Sequence, residues 1–277
     1  MSEPVDSSEE HSHLNNDANA DDAVLYDVAG PVVTVTINRP ERRNAISPEV
    51  VRGIATALDR AERDDAVTVV VLTGAGTRAF CAGGDLGGMT GDGAVERHFI
   101  RAEVGDLFVQ MRRSRRPIVA RVNGHALAGG FGLMLACDLV IAADGAEFGT
   151  PEINLGLWPF MISAVIARNV PRKIAAEMML TGLRMPVSEA QRWGMVNRVV
   201  PRHELDDAVD QLVEELSSKS PMAMRLGKES FFRAQDMSFE ESVDYLNAML
   251  TLDLQSEDVA EGVSAFLQKR KPEWRER

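Results

Sequence analysis

Apolar residues in the first third of the chain recur at spacings that predict both strands and a helix. Leu25–Val28 and the apolar residues of 32–37 flank a Gly-Pro pair, which is typical of a turn between two strands of a hairpin. Ser47 is a good helix cap, and apolar residues follow it at helical spacing. The run VTVVVLT at Val67–Thr73 then predicts a buried strand.

Strands and helices continue to alternate through the middle of the chain, and helices dominate beyond Val165. The predicted elements of the middle are a helix at Val95–Met111 and strands at Ile118–Val122 and Leu139–Ala142. The later helices are predicted at Val187–Trp193, Leu205–Leu216 and Pro221–Arg233. One more helix should follow the capping box that starts at Ser238, and a final one should run from about Asp258 to Lys269. This order favours an α/β core with a helical appendage. We therefore expect an acidic tail at 1–22, a core at 23–204 and a helical region at 205–277.

Charge is concentrated in the first residues. Seven acidic residues and no Lys or Arg lie within residues 1–22, so this segment carries more than half of the net charge of −12. Such a polar segment is expected to be disordered. The chain lacks the basic face that nucleic-acid binding requires and has no apolar run of membrane-spanning length. Because its polar start is unlike a secretion signal, we expect a cytoplasmic protein.

The two cysteines, Cys81 and Cys137, do not make a disulfide framework, and no cluster of Cys and His residues suggests a metal site. Cys81 has no basic residue close to it in sequence. It is therefore expected to be a small packed side chain rather than a nucleophile.

Paired glycines occur twice where a strand gives way to a turn or helix, in FCAGGDL at Phe80–Leu86 and in the stretch Val119–Asp138. Glycine lets a ligand approach the backbone, and two such turns that converge can offer two N–H donors to a developing oxyanion. Spacing alone leaves open that both are tight turns needed only for packing.

Two other segments have residues suited to binding a ligand. Gly74, Gly76 and Ala79 match a dinucleotide fingerprint, but the next residues interrupt the helix that this fingerprint must open, so we reject it. Arg39, Arg42 and Arg43 crowd a short loop, which is either a solvated basic loop or a contact for ligand phosphate.

Glu152 follows a proline and precedes the apolar and aromatic residues of 153–160. A carboxylate held in an apolar pocket has its pKa raised by desolvation, which suits it to proton transfer near neutral pH. The alternative is a surface glutamate beside a turn.

Five separated motifs resemble the crotonase (enoyl-CoA hydratase/isomerase) superfamily in order and spacing. They are INRPERRNAIS, FCAGGDL, VNGHALAGGFGLMLACDLVIA, FGTPEINLGL and EGVSAFLQKRKPEW, which together span roughly Val24 to Trp274. The resemblance implies a crotonase-like α/β spiral of ββα units with a C-terminal helical trimerisation region, and a homotrimer or hexamer. It also implies an acyl-CoA substrate, with coenzyme A as part of the thioester and no permanently bound cofactor.

The resemblance also implies roles for individual residues. The oxyanion-hole amides are those of Gly84 and Gly129, and Glu152 is the catalytic acid/base. Residues implied to bind the coenzyme A part of the substrate are Arg42, Arg43, Ala45, Cys81, Ala82, Gly83 and Lys269.

One position departs from the pattern of the family's hydratases, which commonly have two glutamates. Glu152 matches the second of them, but Gly132 stands where the first is expected, and glycine cannot transfer a proton. A single carboxylate suffices to move a double bond, so we favour an enoyl-CoA isomerase, which shifts a 3-enoyl to a 2-enoyl thioester. A weak or specialised hydratase and a non-catalytic acyl-CoA-binding protein are the alternatives.

Overall fold

A computed structural model describes residues 22–85 and 93–275 of the chain. The strands are β1 Val24–Ala29, β2 Val32–Ile37, β3 Val69–Gly74, β4 Ala79–Cys81, β5 Ile118–Val122, β6 His125–Leu127, β7 Leu139–Ala143, β8 Glu147–Gly149, β9 Arg184–Pro186 and β10 Arg198–Val200. The α-helices are α1 Pro48–Arg63, α2 Ala94–Arg113, α3 Gly129–Leu135, α4 Phe160–Asn169, α5 Arg172–Thr181, α6 Val187–Arg192, α7 Leu205–Ser217, α8 Pro221–Ala234, α9 Phe239–Asp253 and α10 Glu257–Gln268. Short 3₁₀ helices lie at Pro40–Arg42, Pro151–Leu155 and Arg202–Glu204.

The larger sheet has the strand order β1-β2-β3-β5-β7-β10 in the described residues. β1 and β2 form the predicted antiparallel hairpin, and the remaining neighbours are parallel. Every residue of β3 is buried, because helices cover both faces of this sheet. Leu72 belongs to the cluster that α1 contributes to, whereas Val71 on the other face packs with Leu205 and Val209 of α7.

A smaller sheet has the order β4-β6-β8-β9, with β4, β6 and β8 parallel and β9 antiparallel to β8. The chain therefore repeats one unit three times, as β3-β4-α2, β5-β6-α3 and β7-β8-α4. In each unit the first strand joins the larger sheet, the second joins the smaller sheet, and a helix follows. This repetition places the ends of the three short parallel strands side by side.

The capping box predicted at Ser238 is present, and two further serines cap neighbouring helices. Ser238 and Glu241 form the reciprocal capping box at the start of α9, and Ser220 and Ser256 cap α8 and α10. Within the described ranges, no helix combines the length and apolar character needed to span a bilayer. The tail predicted at 1–22 lies outside the described residues, except for Asp22.

One buried ion pair joins the helical region to the core. Lys228 on α8 donates to the carboxylate of Asp138 at 2.6 Å and to the carbonyl oxygen of Arg116 at 2.9 Å. The same Asp138 oxygen accepts the main-chain N–H of Ile118 at 2.7 Å. Both side chains of the pair are largely shielded from water, with exposures of 8% and 16%. Burial, the dominant effect, raises the pKa of Asp138, while Lys228 acts in the opposite direction.

We predict that Lys228→Met destabilises the fold by about 3–5 kcal/mol, because it leaves the Asp138 carboxylate buried without its cation. Urea unfolding of this variant is compared with that of Lys173→Met, which removes a lysine from an exposed position of α5. Adding Asp138→Asn to Lys228→Met should recover part of the lost stability, because the buried group is then uncharged. Equal stability of Lys228→Met and the unaltered protein would contradict this role of the pair.

Candidate active site

The ends of β4, β6 and β8 bring three segments of the chain to one edge of the smaller sheet. Gly84 follows β4, Gly129 follows β6, and Glu152 follows β8, each two or three residues beyond its strand. Leu127 pairs with Gly149 in the sheet, and the N–H of Ala128 donates to the carbonyl oxygen of Gly149 at 2.8 Å. The carboxyl ends of parallel strands are where α/β proteins commonly bind ligands.

The two glycine turns lie against each other. A Cβ atom placed on Gly129 would lie 3.7 Å from the main-chain nitrogen of Gly84, and one placed on Gly83 would lie 3.6 Å from the nitrogen of Gly129. Both Gly84 and Gly129 are partly exposed. Among the described residues, neither N–H group donates a hydrogen bond to a protein acceptor. Two unpartnered donors are therefore close together at a ligand-accessible position.

Close packing fixes this arrangement. A side chain at Gly83 would meet the Cβ of Ala128 at 2.6 Å, and Gly83 has a φ of +103°. A side chain at Gly130 would meet the carbonyl oxygen of Cys81 at 2.1 Å. The chain turns into α3 through Ala128, whose φ of 51° and ψ of −129° are unusual for a residue with a side chain. Such a conformation costs on the order of 1–3 kcal/mol, and the surrounding contacts must hold it.

Glu152 lies in the 3₁₀ helix Pro151–Leu155 and is half-buried. Its Oε2 atom is shielded from solvent and has no hydrogen-bond partner among the described residues. Burial raises the pKa of this carboxyl group, and a main-chain hydrogen bond opposes the rise. Thr150, two residues before Glu152, is fully buried and donates to the carbonyl oxygen of Met178 at 2.9 Å. This hydrogen bond anchors the start of the 3₁₀ helix. A carboxyl group whose pKa is raised takes up a proton more readily than an ordinary glutamate does, which suits it to proton transfer.

Gly132 lies one helical turn after Gly129 in α3, and its surroundings are filled. A Cβ atom at this position would lie 2.2 Å from Cγ2 of Ile162, 2.7 Å from its Cβ and 3.3 Å from Cζ of Phe108. Because the clash includes the Cβ of Ile162, α4 would have to move to admit any side chain. The place where the sequence lacks a second glutamate is thus occupied by apolar atoms.

Comparison with known proteins identifies the family. The family described as enoyl-CoA hydratase/isomerase matches residues 27–277. The chain belongs to this family. A carnitinyl-CoA dehydratase of Salmonella arizonae is 37% identical over 251 residues, which cover 89% of this chain and 95% of the relative.

Solved structures agree with the family match. An enoyl-CoA hydratase from Mycobacterium smegmatis is similar with a TM-score of 0.88 at 35% identity, covering 91% of this chain and 98% of that chain. An enoyl-CoA hydratase from Bacillus anthracis gives a TM-score of 0.88 at 29% identity, with coverages of 92% and 100%. The expected crotonase-like α/β fold is confirmed, whereas assembly into trimers is not tested by these matches.

The loop Arg42–Ala45, implied by the family pattern to bind coenzyme A, runs beside residues 81–83. The N–H of Ala82 donates to the carbonyl oxygen of Arg43 at 3.0 Å. The N–H of Ile46 donates to the carbonyl oxygen of Gly83 at 2.8 Å. Six of the residues implied to bind substrate are therefore adjacent: Arg42, Arg43, Ala45, Cys81, Ala82 and Gly83. Lys269, the residue after α10, has an exposed side chain and is outside the lining of the cavity described below.

Asn44 and Arg39 hold this loop in place. Asn44 is 1% exposed and donates to the carbonyl oxygens of Ala75 and Ala79 at 2.9 and 2.8 Å. Arg39 donates to the carbonyl oxygen of Ala45 and forms an ion pair with Asp85, both at 2.9 Å. This pair connects the loop to the residue that follows Gly84. These roles leave no local signal in the sequence, because the partners are up to 46 positions apart.

A cavity of about 460 Å³ lies beside the same loop. Four arginines are among its lining residues: Arg43, Arg78, Arg184 and Arg202. Arg184 is paired with Glu147 at 3.3 Å, and Arg202 donates to the carbonyl oxygens of Thr77 and Asn123. Of these four arginines, only Arg43 was recognisable from the sequence, since the other three come from distant segments.

Cys81 is fully buried in β4, and its burial raises the pKa of the thiol to about 12. A thiol with so high a pKa is not a nucleophile near neutral pH, as the sequence led us to expect. β3 and Gly74 are followed by strand β4 and not by a helix, which agrees with the rejection of a dinucleotide site. Among the described residues, no group of three or more His, Cys, Asp and Glu side chains could hold a metal ion.

We predict that Gly83→Ala lowers both stability and activity, because it adds a clash with Ala128 to the cost of a positive φ. The conformation alone costs about 1–2 kcal/mol for alanine, and the clash adds roughly 1–3 kcal/mol. Gly194→Ala is the matched control, since Gly194 has a φ of +79° and open space around it. Thermal unfolding and thioester binding are measured for both. A Gly83→Ala protein as stable and active as Gly194→Ala would contradict the close contact of the two turns.

Proposed function

We propose that this protein stabilises the enolate of an acyl-CoA thioester and acts as an enoyl-CoA isomerase, with Glu152 as the acid/base. The proposal rests mainly on one observation: Glu152 Oε2 is buried without a partner in the described chain, at the sheet edge that also carries the two free amides. Burial of an unpartnered carboxylate oxygen costs stability, so its retention fits a role with a ligand.

The proposed reaction uses each of these groups. Glu152 removes a proton from C2 of a 3-enoyl thioester, and the electrons move onto the thioester oxygen. The N–H groups of Gly84 and Gly129 stabilise this oxyanion, and losing one such donor typically costs about 10²–10³-fold in rate. Glu152 then returns the proton to C4, giving the 2-enoyl thioester with no other reactant. Its raised pKa favours holding the proton between the two steps.

The substrate's coenzyme A part would lie along the loop Arg42–Ala45. Coenzyme A is polyanionic, and the arginine-lined cavity beside this loop offers the cations that phosphate groups require. No permanently bound cofactor is needed for the proposed reaction, because every proton transfer is made by Glu152.

Reversible addition or elimination of water is the second candidate. It is favoured by the names of the relatives, a carnitinyl-CoA dehydratase at 37% identity and an enoyl-CoA hydratase at 35%. The same oxyanion stabilisation serves both reactions. In water addition, however, Glu152 alone would have to take the proton from water and also deliver one to C2. A protein that binds acyl-CoA without turnover is the non-catalytic alternative.

We predict that Glu152→Gln lowers isomerisation of 3-enoyl-CoA by roughly 10²–10⁴-fold while thioester binding is retained. Gln keeps the size of the side chain but cannot accept a proton. Isomerisation and hydration are assayed on the same preparations, with Glu189→Gln as a control at an exposed acidic residue of α6. Because only ionised Glu152 accepts a proton, kcat/KM should fall as pH drops through a pKa above the usual glutamate range.

The outcomes separate the candidates. Isomerisation that depends on Glu152 supports the proposal, and efficient hydration without isomerisation rejects it in favour of the second candidate. Tight binding of thioesters with no turnover of either substrate favours the non-catalytic protein.

We also propose a cyclic homo-oligomer, a trimer or a hexamer built from trimers, in the cytoplasm. Two separate surfaces carry exposed large apolar side chains. The first surface, beside Glu152, consists of Leu155, Leu157, Phe160, Leu180 and Leu183, and the second, on α9 and α10, includes Leu246, Leu250, Val263, Phe266 and Leu267. Two different surfaces on one chain suit the head-to-tail contacts that close a ring, whereas a dimer needs one self-complementary surface.

We predict that Phe160→Asp and Leu250→Asp each reduce the oligomer to smaller species, because a charge is desolvated in the interface. Sedimentation velocity at micromolar concentration measures this, with Val28→Asp as a control at an exposed valine of β1. A monomeric unaltered protein, or oligomers that persist in both variants, would exclude this assembly.

A further inference from the structure

Two glycines let α4 approach the neighbouring helices closely. A Cβ atom on Gly132 of α3 would lie 2.2 Å from Ile162, and one on Gly105 of α2 would lie 2.7 Å from Cε of Met161. The consecutive residues Met161 and Ile162 therefore sit in notches that two different helices leave open. The contact of Ile162 with Gly132 fixes the position of α4 against α3, whereas Met161 reaches Gly105 only with the flexible end of its side chain.

Ile162 and Phe108 form an apolar, closely packed wall against Gly132. Ile162 is 3% exposed, Phe108 is 8% exposed, and both lie within 3.3 Å of the position that a Cβ on Gly132 would take. Gly132 is one helical turn after Gly129, so it lies on the face of α3 that begins at the oxyanion-binding amide. The position one turn after that amide is thus filled by buried hydrocarbon where a polar group could have stood.

Water addition makes demands that this wall does not meet. A bound water needs room and two to four polar partners, and its oxygen must be delivered to C3 while a base takes its proton. Isomerisation breaks a C2–H bond and forms a C4–H bond through one carboxyl group, and it needs no bound water. Hydrocarbon packed at Gly132 therefore opposes water addition and places no obstacle to isomerisation.

We propose that Ile162, seated on Gly132, determines reaction specificity by keeping water away from the acyl carbons. This inference rests on the proposed thioester-enolate function and adds the residue that selects between its two outcomes. Ile162 is a positioning and excluding residue here and takes no part in proton transfer.

The test replaces the wall with polar groups and measures hydration of a 2-enoyl-CoA and isomerisation of a 3-enoyl-CoA separately. Ile162→Thr supplies a hydroxyl group and a small space, while Ile162→Val removes a methyl group without adding polarity. Ile166→Thr makes the same change one turn further along α4, at a residue that is 1% exposed. The double variant Gly132→Glu/Ile162→Ala adds a carboxylate and removes the side chain that blocks it.

We expect the ratio of hydration to isomerisation to rise in Ile162→Thr and to stay near that of the unaltered protein in Ile162→Val and Ile166→Thr. In the double variant we expect hydration to rise roughly 10²-fold, the lower end of the contribution of a second acid–base group. Circular dichroism and melting temperature show that each variant is folded before its rates are compared.

Two results would overturn the inference. One is an unaltered protein that already hydrates efficiently, since water then reaches the carbons past Ile162. The other is a hydration rate that neither folded polar variant increases. Failure of the proposed function is read independently, from the absence of Glu152-dependent turnover in the unaltered protein, and the hydration rates of the variants still decide the role of the wall.

Discussion

The close approach of the turn after β4 to the start of α3 is the constraint on which the site depends. Only glycine fits at Gly83 and Gly130, because Ala128 and the carbonyl oxygen of Cys81 occupy the space of any side chain. Packing at this distance leaves the N–H groups of Gly84 and Gly129 adjacent and without protein acceptors in the described chain. Leaving these amides unpaired and holding Ala128 in its unusual conformation both cost free energy, which the packing of the buried core around them offsets.

The repeated β-β-α unit explains how separate segments meet at this point. Each unit delivers the end of one short strand to the same sheet edge, and each end is followed by one group of the site. Two units supply amides and the third supplies the carboxyl group of Glu152, which the buried Thr150 holds through Met178. Helix side chains away from these turns form the surroundings of the groups, as Ile162 of α4 does at Gly132.

Local patterns predicted much of this arrangement. The hairpin of β1 and β2, the cap at Ser47, the capping box at Ser238 and the buried strand β3 depend on neighbouring residues, so the sequence indicates them directly. The glycine pairs and Glu152 were recognisable because their spacing matches a known family. By contrast, the ion pair of Arg39 with Asp85 and the seating of Ile162 on Gly132 join residues far apart in sequence. The sequence shows glycine at position 132, where the family's hydratases commonly have a glutamate. Only the packing of α4 reveals that hydrocarbon fills the space of that side chain.

Exchange of the C2 protons of a saturated acyl-CoA in D₂O tests the central claim most directly, because it reports enolate formation without depending on the fate of a double bond. The thioester and enzyme are incubated in D₂O, and loss of the C2–H signal is followed by proton NMR. The account predicts enzyme-dependent exchange that is lost in Glu152→Gln and strongly reduced in Gly83→Ala. Exchange that persists in Glu152→Gln would contradict it, as would a thioester that binds to the unaltered protein but never exchanges.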